Sequence, residues 1–161
     1  MAVRFGDQRR FAAEVGEFSD ESRQGRRVDL WAAGRRLTCD DNNVFIPQFC
    51  MSVRSTVDWL RSDCDLSLPF PGLSPAETHR QLLAVGYESR SRFLFPYWGP
   101  TTDNLLGHLF RVGDRLAFTF EFWRDTHPVS AERGVVFVAE LPESELVGVL
   151  EQMLNVLKRD E

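Results

Sequence analysis

Residues 115–123 alternate strictly: Leu116, Phe118, Phe120 and Phe122 fall on one side of an extended strand, and Arg115, Thr119 and Glu121 on the other. A strand with one core face is the expectation. The run before it, residues 107–112, meets it across Gly113-Asp114. Glycine at the first central position of a two-residue loop takes positive φ without steric cost, so the pair predicts a hairpin. Downstream, residues 135–141 are almost continuously apolar and predict a third strand, which Pro142 ends. The closing segment spaces Leu146, Val149, Leu150, Met153 and Leu157 along one helical face. Glu143 and Glu145 stand near its positive end, and Lys158 and Arg159 near its negative end.

Earlier in the chain, residues 10–18 place Phe11, Ala13 and Val15 on one side of a strand. Polar residues 19–27 read as a loop, and Val28, Leu30 and Ala32 resume the two-residue period. Gly34 allows a reversal into a short third strand over residues 35–38, and Asp40, Asp41, Asn42 and Asn43 favour another turn. From Pro47 the spacing changes: Phe49, Val53, Val57 and Leu60 line a helix that should stop near Ser62. Residues 66–73 are a Pro- and Gly-bearing connector. Ser74-Pro75-Ala76-Glu77 is a capping box with proline at the first helical position; Leu82, Leu83 and Val85 are its expected buried residues, and Gly86 its left-handed stop. Residues 90–95 read as another strand, followed by a loop over residues 97–103. The reading is a single α+β domain over residues 1–161, with a mainly antiparallel sheet of about five to seven strands and helices packed on one face.

Function classes narrow next. No apolar run approaches the ~20 residues that span a bilayer, and the opening MAVRFGDQRRF carries charge where a signal peptide needs an apolar stretch, so the expected location is the cytoplasm and no membrane partner is expected. Cys39, Cys50 and Cys64 are odd in number and lack metal-type spacing, which argues for reduced thiols. The net charge of −5 is uneven: residues 1–36 carry 8 Arg against 6 acids, and the remainder carries 11 basic and 18 acidic residues. Such a surface repels phosphates and attracts a basic protein, so nucleic acid is not the expected partner.

Catalytic patterns are sparse. There is no Gly-x-Ser-x-Gly elbow, no phosphate loop and no short-spaced histidine pair, so no catalytic residue, metal site or cofactor is assigned. Cys50 with His79, His108 or His127 could pair in space, as could Glu14, Glu121 and Glu140; burial and solvent-facing strand positions are the simpler accounts. The segment Phe93-Leu94-Phe95-Pro96-Tyr97-Trp98 has two readings, with Tyr97 and Trp98 either roofing the core or anchoring a protein partner. Trp123 shares that ambiguity. Tyr97, Trp98 and Trp123 are the candidate partner-binding residues.

Phe5-Gly6-Asp7 followed by Arg10-Phe11-Ala12 and Glu14, then Val28-Asp29-Leu30-Trp31 with Gly34, resembles bacterial polymorphic-toxin immunity proteins, especially immunity protein family forty-two. Residues 118–123 and the strand at 136–138 leading into Leu141-Pro142 also look like uncharacterised bacterial α+β proteins of similar size. The resemblance implies a cytoplasmic, non-enzymatic protein that binds a cognate protein toxin and blocks it, and it assigns no catalytic residues. Residues 66–71 and the aromatic loop depart from the family pattern. The alternative is a small cytoplasmic enzyme whose carboxylates or Cys-His groups converge only in the fold. Oligomeric state is not encoded in any feature of the sequence.

Overall fold

The computed structural model describes residues 2–159. Among the described residues, eight strands divide between two antiparallel sheets. The first sheet opens with β1 (Val3–Asp7), β2 (Phe11–Phe18) and β3 (Gly25–Ala32), and its far edge is shared by β4 (Arg35–Arg36) and β5 (Asn43–Phe45), which pair with opposite ends of β3. The second holds β6 (Leu105–Val112), β7 (Arg115–Phe122) and β8 (Phe137–Pro142) in that order. The α+β class with antiparallel pairing is therefore as expected, with the strands split into a sheet of five and a sheet of three.

Both short turns follow from their residues. Ala33 and Gly34 both take positive φ, as a two-residue loop between Ala32 and Arg35 demands. Gly113 takes positive φ at the tip of the β6–β7 hairpin, whose register pairs Val112 with Arg115. β1 goes beyond the sequence reading, which assigned no element before residue 10; Arg4 lies opposite Glu14 and reaches its carboxylate at 3.5 Å.

Helix α1 (Ile46–Arg61) buries Phe49, Val53, Val57 and Leu60 and ends at Ser62. Helix α4 (Glu143–Arg159) buries Leu146, Val149, Leu150, Met153 and Leu157 together with the β7 face of Leu116, Phe118, Phe120 and Phe122 in one continuous core. Its first-turn acids also hold tertiary partners, Glu143 with Arg111 at 2.8 Å and Glu145 with Arg10 at 2.7 Å. Phe11 on β2 lies 6.3 Å from the ring of Phe118 on β7, so the two sheets share that core directly.

Helix α2 (Pro75–Val85) has the expected capping box, with Glu77 N–H donating to Ser74 Oγ at 3.1 Å and Ser74 N–H donating to Glu77 Oε1 at 3.2 Å. Its buried residues differ from the expectation. Thr78, His79 and Leu82 face inward, Leu83 is half-buried, and Val85 is 48% exposed. The cause is its position: α2 lies on the second face of β7, where Ala117 and Thr119 are also fully buried. Both faces of β7 are covered, so the alternation that predicted one core face marks two. Gly86 ends the helix with φ 108° and ψ 178°, an extended positive-φ conformation rather than the left-handed helical one.

Residues 90–95 are not a strand. Helix α3 (Tyr87–Arg90) and a 3₁₀ turn at Ser91–Phe93 occupy most of the segment, and of the remainder Leu94 alone makes a bridge, to His108 on the β6 edge. The turn lets Phe93 and Phe95 both point inward, Phe93 onto Phe110 at 5.1 Å and Phe95 onto Phe118 at 5.0 Å. A regular strand would have sent these alternate residues to one face and left the other bare. Among the described residues, no helix is long and apolar enough to cross a membrane.

Candidate partner-binding interface

The aromatic loop separates at Tyr97 and Trp98. Trp98 is 1% exposed and packs edge-on against Phe95 at 5.5 Å and Phe49 at 5.9 Å. Its indole N–H donates to Thr56 Oγ1 at 2.9 Å, and its backbone N–H to Thr102 Oγ1 at 3.1 Å. A buried tryptophan with its polar atoms satisfied is scaffold, so burial removes Trp98 from the expected contact set. Tyr97, the preceding residue, is 73% exposed. Trp123 is 49% exposed; its indole N–H donates to the Asp103 carbonyl at 2.8 Å, and Arg124 lies beside its ring while pairing with Asp40.

Tyr97 and Trp123 stand on the rim of one cavity of about 240 Å³, with Tyr87, Leu94, Leu106 and Arg90 among its walls. A second concavity shares Leu94 and Tyr97 and continues over Met51 and Trp59 on α1. Met51, Tyr87, Tyr97 and Trp123 are the exposed large apolar residues of these two concavities, with Ser52, Ser55 and Thr56 between them and Asp103 on the cavity wall. Aromatic side chains are enriched at the centres of protein interfaces, which makes this recess the candidate.

Beneath the cavity runs a polar chain that the sequence reading did not assemble. Arg90 Nε–H donates to His108 Nε2 at 3.0 Å, which makes that nitrogen an acceptor and leaves the His108 proton on Nδ1. His108 Nδ1–H then donates to His79 Nδ1 at 2.9 Å. His79 in turn carries its proton on Nε2 and donates to Glu121 Oε1 at 2.9 Å, with Thr119 Oγ1 2.9 Å from its Nδ1. Every bond points from the guanidinium towards the carboxylate. Burial, aided by the neighbouring His79 and the Arg90 charge, lowers the His108 pKa to about 2, so its ring is neutral. The available signal was weak: His79 shares a helical face with Leu82, and His108 lies across from Thr119 in the hairpin register.

The Cys-His possibility resolves onto different residues. Cys50 is buried on α1, whereas Cys39 Sγ lies 3.7 Å from His127 Nδ1, and His127 Nε2 lies 2.9 Å from Glu132, which also holds Arg35 at 2.6 Å. Burial pushes the Cys39 thiol up, keeping it protonated at neutral pH. With His127 stacked on Phe122 at 4.0 Å, the group pins the segment after β7 onto the first sheet. Glu14, Glu121 and Glu140 do not join in one acid–base pair: Glu14 engages Arg4, Glu121 engages His79, and Glu140 lies exposed on β8. Among the described residues, no group of three or more His, Cys, Asp or Glu side chains is placed to hold a metal ion.

No protein-family model matches the chain, and no curated protein sequence matches it. A solved structure of CdiI from Burkholderia dolosa AUO158 has the same fold, with a TM-score of 0.64, 14% identity, and coverage of 96% of this chain and 99% of that one.

Proposed function

We propose that this chain is an immunity-type protein that binds and neutralises a cognate bacterial toxin in the cytoplasm without catalysis. The observation that carries the reading is the end-to-end structural likeness to CdiI, a contact-dependent inhibition immunity protein. The exposed surface around Tyr97 and Trp123 supports it, because a blocking protein needs a complementary face and no turnover. The finer resemblance to immunity family forty-two rests on residues that build the first meander. Asp7 Oδ1 accepts the Arg9 N–H at 2.8 Å in the β1–β2 turn, and Trp31 lies under the Arg4 guanidinium on β3. Those residues speak for fold rather than for partner choice.

A second reading, a small thiol enzyme, has the Cys39–His127–Glu132 order in its favour. The raised thiol pKa opposes it. The test is to read the adjacent gene and, where it encodes a toxin domain, to express that domain and the chain in the same cells. Growth restored by the parent and by Cys39→Ala alike is the expected result; failure of the parent to protect would contradict the immunity reading.

A further inference from the structure

We infer that Arg90 is the receptor for an acidic side chain of the partner protein, seated in the cavity between Tyr97 and Trp123. This rests on the reading of that face as the toxin-binding surface.

Most of the chain's guanidiniums near carboxylates are paired with them: Arg10 with Glu145, Arg35 with Glu132, Arg61 with Glu151 and Arg111 with Glu143. Arg90 differs. It is half-buried on the cavity wall, and among the described residues its hydrogen-bond partner is a neutral imidazole, bound through Nε alone. The charge of Glu121 faces Arg90, but its hydrogen bond goes to His79 rather than to the guanidinium. Among the described residues the two Nη groups make no hydrogen bond within the chain, and such a fork matches a carboxylate in two parallel bonds. His108 fixes the guanidinium through Nε, which orders the fork before a partner arrives.

Size and walls narrow the ligand. At about 240 Å³ the recess lies below the ~300–1,000 Å³ of cofactor and drug-like sites, so it admits a single side chain. Tyr87, Tyr97 and Trp123 would exclude water around the pair, which strengthens it. Asp103 on the wall and the negative net charge oppose a polyanionic nucleic acid more strongly than a single carboxylate.

The first arm of the test uses the folded parent protein: the Arg90 Nε–H resonance and Trp123 fluorescence are followed during titration with N-acetylglutamate, N-acetylglutamine and inorganic phosphate. A saturating response to N-acetylglutamate, absent with N-acetylglutamine and weaker with phosphate, is the expected result. Equal response to the acid and the amide, or a stronger one to phosphate, overturns the inference. The second arm measures toxin affinity of Arg90→Gln, with its amide spectrum checked for native dispersion. A loss of tenfold or more is expected; parent-like affinity would discard the carboxylate receptor while leaving the immunity reading intact. A parent that takes up N-acetylglutamate yet never protects against the neighbouring toxin would instead contradict the immunity reading alone.

Discussion

His79 and His108 meet through their Nδ1 atoms at 2.9 Å with their rings at 82° to one another, so one nitrogen carries the proton and the other accepts it. The Arg90 bond on the far side of His108 decides which. We expect ¹⁵N spectra to show His108 as the Nδ1–H tautomer and His79 as the Nε2–H tautomer, with His108 neutral throughout pH 5–8. A His108 resonance that titrates near its ordinary value would contradict the chain of bonds.

The same group sets a pH dependence of stability. The folded pKa of His108, about 2, lies below the unfolded value of about 6.5, so below pH 6.5 the unfolded state binds more protons. Stability from this residue is complete above pH 6.5 and is lost as pH falls, by up to about 1.4 kcal/mol per pH unit. Denaturant unfolding of His108→Gln against the parent at several pH values isolates it: the parent should lose stability faster between pH 6 and 4.

Phe120 is fully buried and lies 4.9 Å from Phe118, 5.4 Å from Phe137 and 5.9 Å from Phe122. Phe120→Ala should cost about 3–5 kcal/mol by removing those contacts and leaving a cavity. An unchanged midpoint and slope in denaturant would show that this face is not the core.

Gly107 binds the aromatic loop to the second sheet. Its carbonyl accepts the Phe95 N–H at 3.3 Å, and a side chain there would collide with the Phe95 carbonyl oxygen. Gly107→Ala should therefore destabilise by about 1–3 kcal/mol and displace the segment that presents Tyr97. Unfolding and toxin affinity measured on the same variant should fall together.

Much of this architecture is legible in the residues. The Leu116–Phe122 alternation, the Gly113 hairpin, the Ser74 cap and the spacing of α1 and α4 are local signals, and each led to the element found. What escaped depends on contacts between distant segments. The inward face of α2 is polar because it lies against Thr119 and Glu121, so a search for apolar periodicity chose Leu83 and Val85 instead of Thr78 and His79. Residues 90–95 have strand-like alternation, but Phe93 and Phe95 are each claimed by a different side of the second sheet, and a 3₁₀ turn serves both. Of the candidate site, the sequence reading named Tyr97, Trp98 and Trp123, of which Trp98 is buried, while Arg90 acquires its setting only when β6, β7 and α2 come together.

The central claim is that toxin binding centres on the exposed aromatics and depends on Trp98 only through the fold. Calorimetric titration of the purified chain with the neighbouring toxin domain tests it directly. The parent should bind, and Tyr97→Ala and Trp123→Ala should each remain folded and lose about 2 kcal/mol of binding energy, roughly thirtyfold in Kd. Parent-like affinity in both variants would place the interface elsewhere on the molecule, and no binding by the parent would contradict the account as a whole.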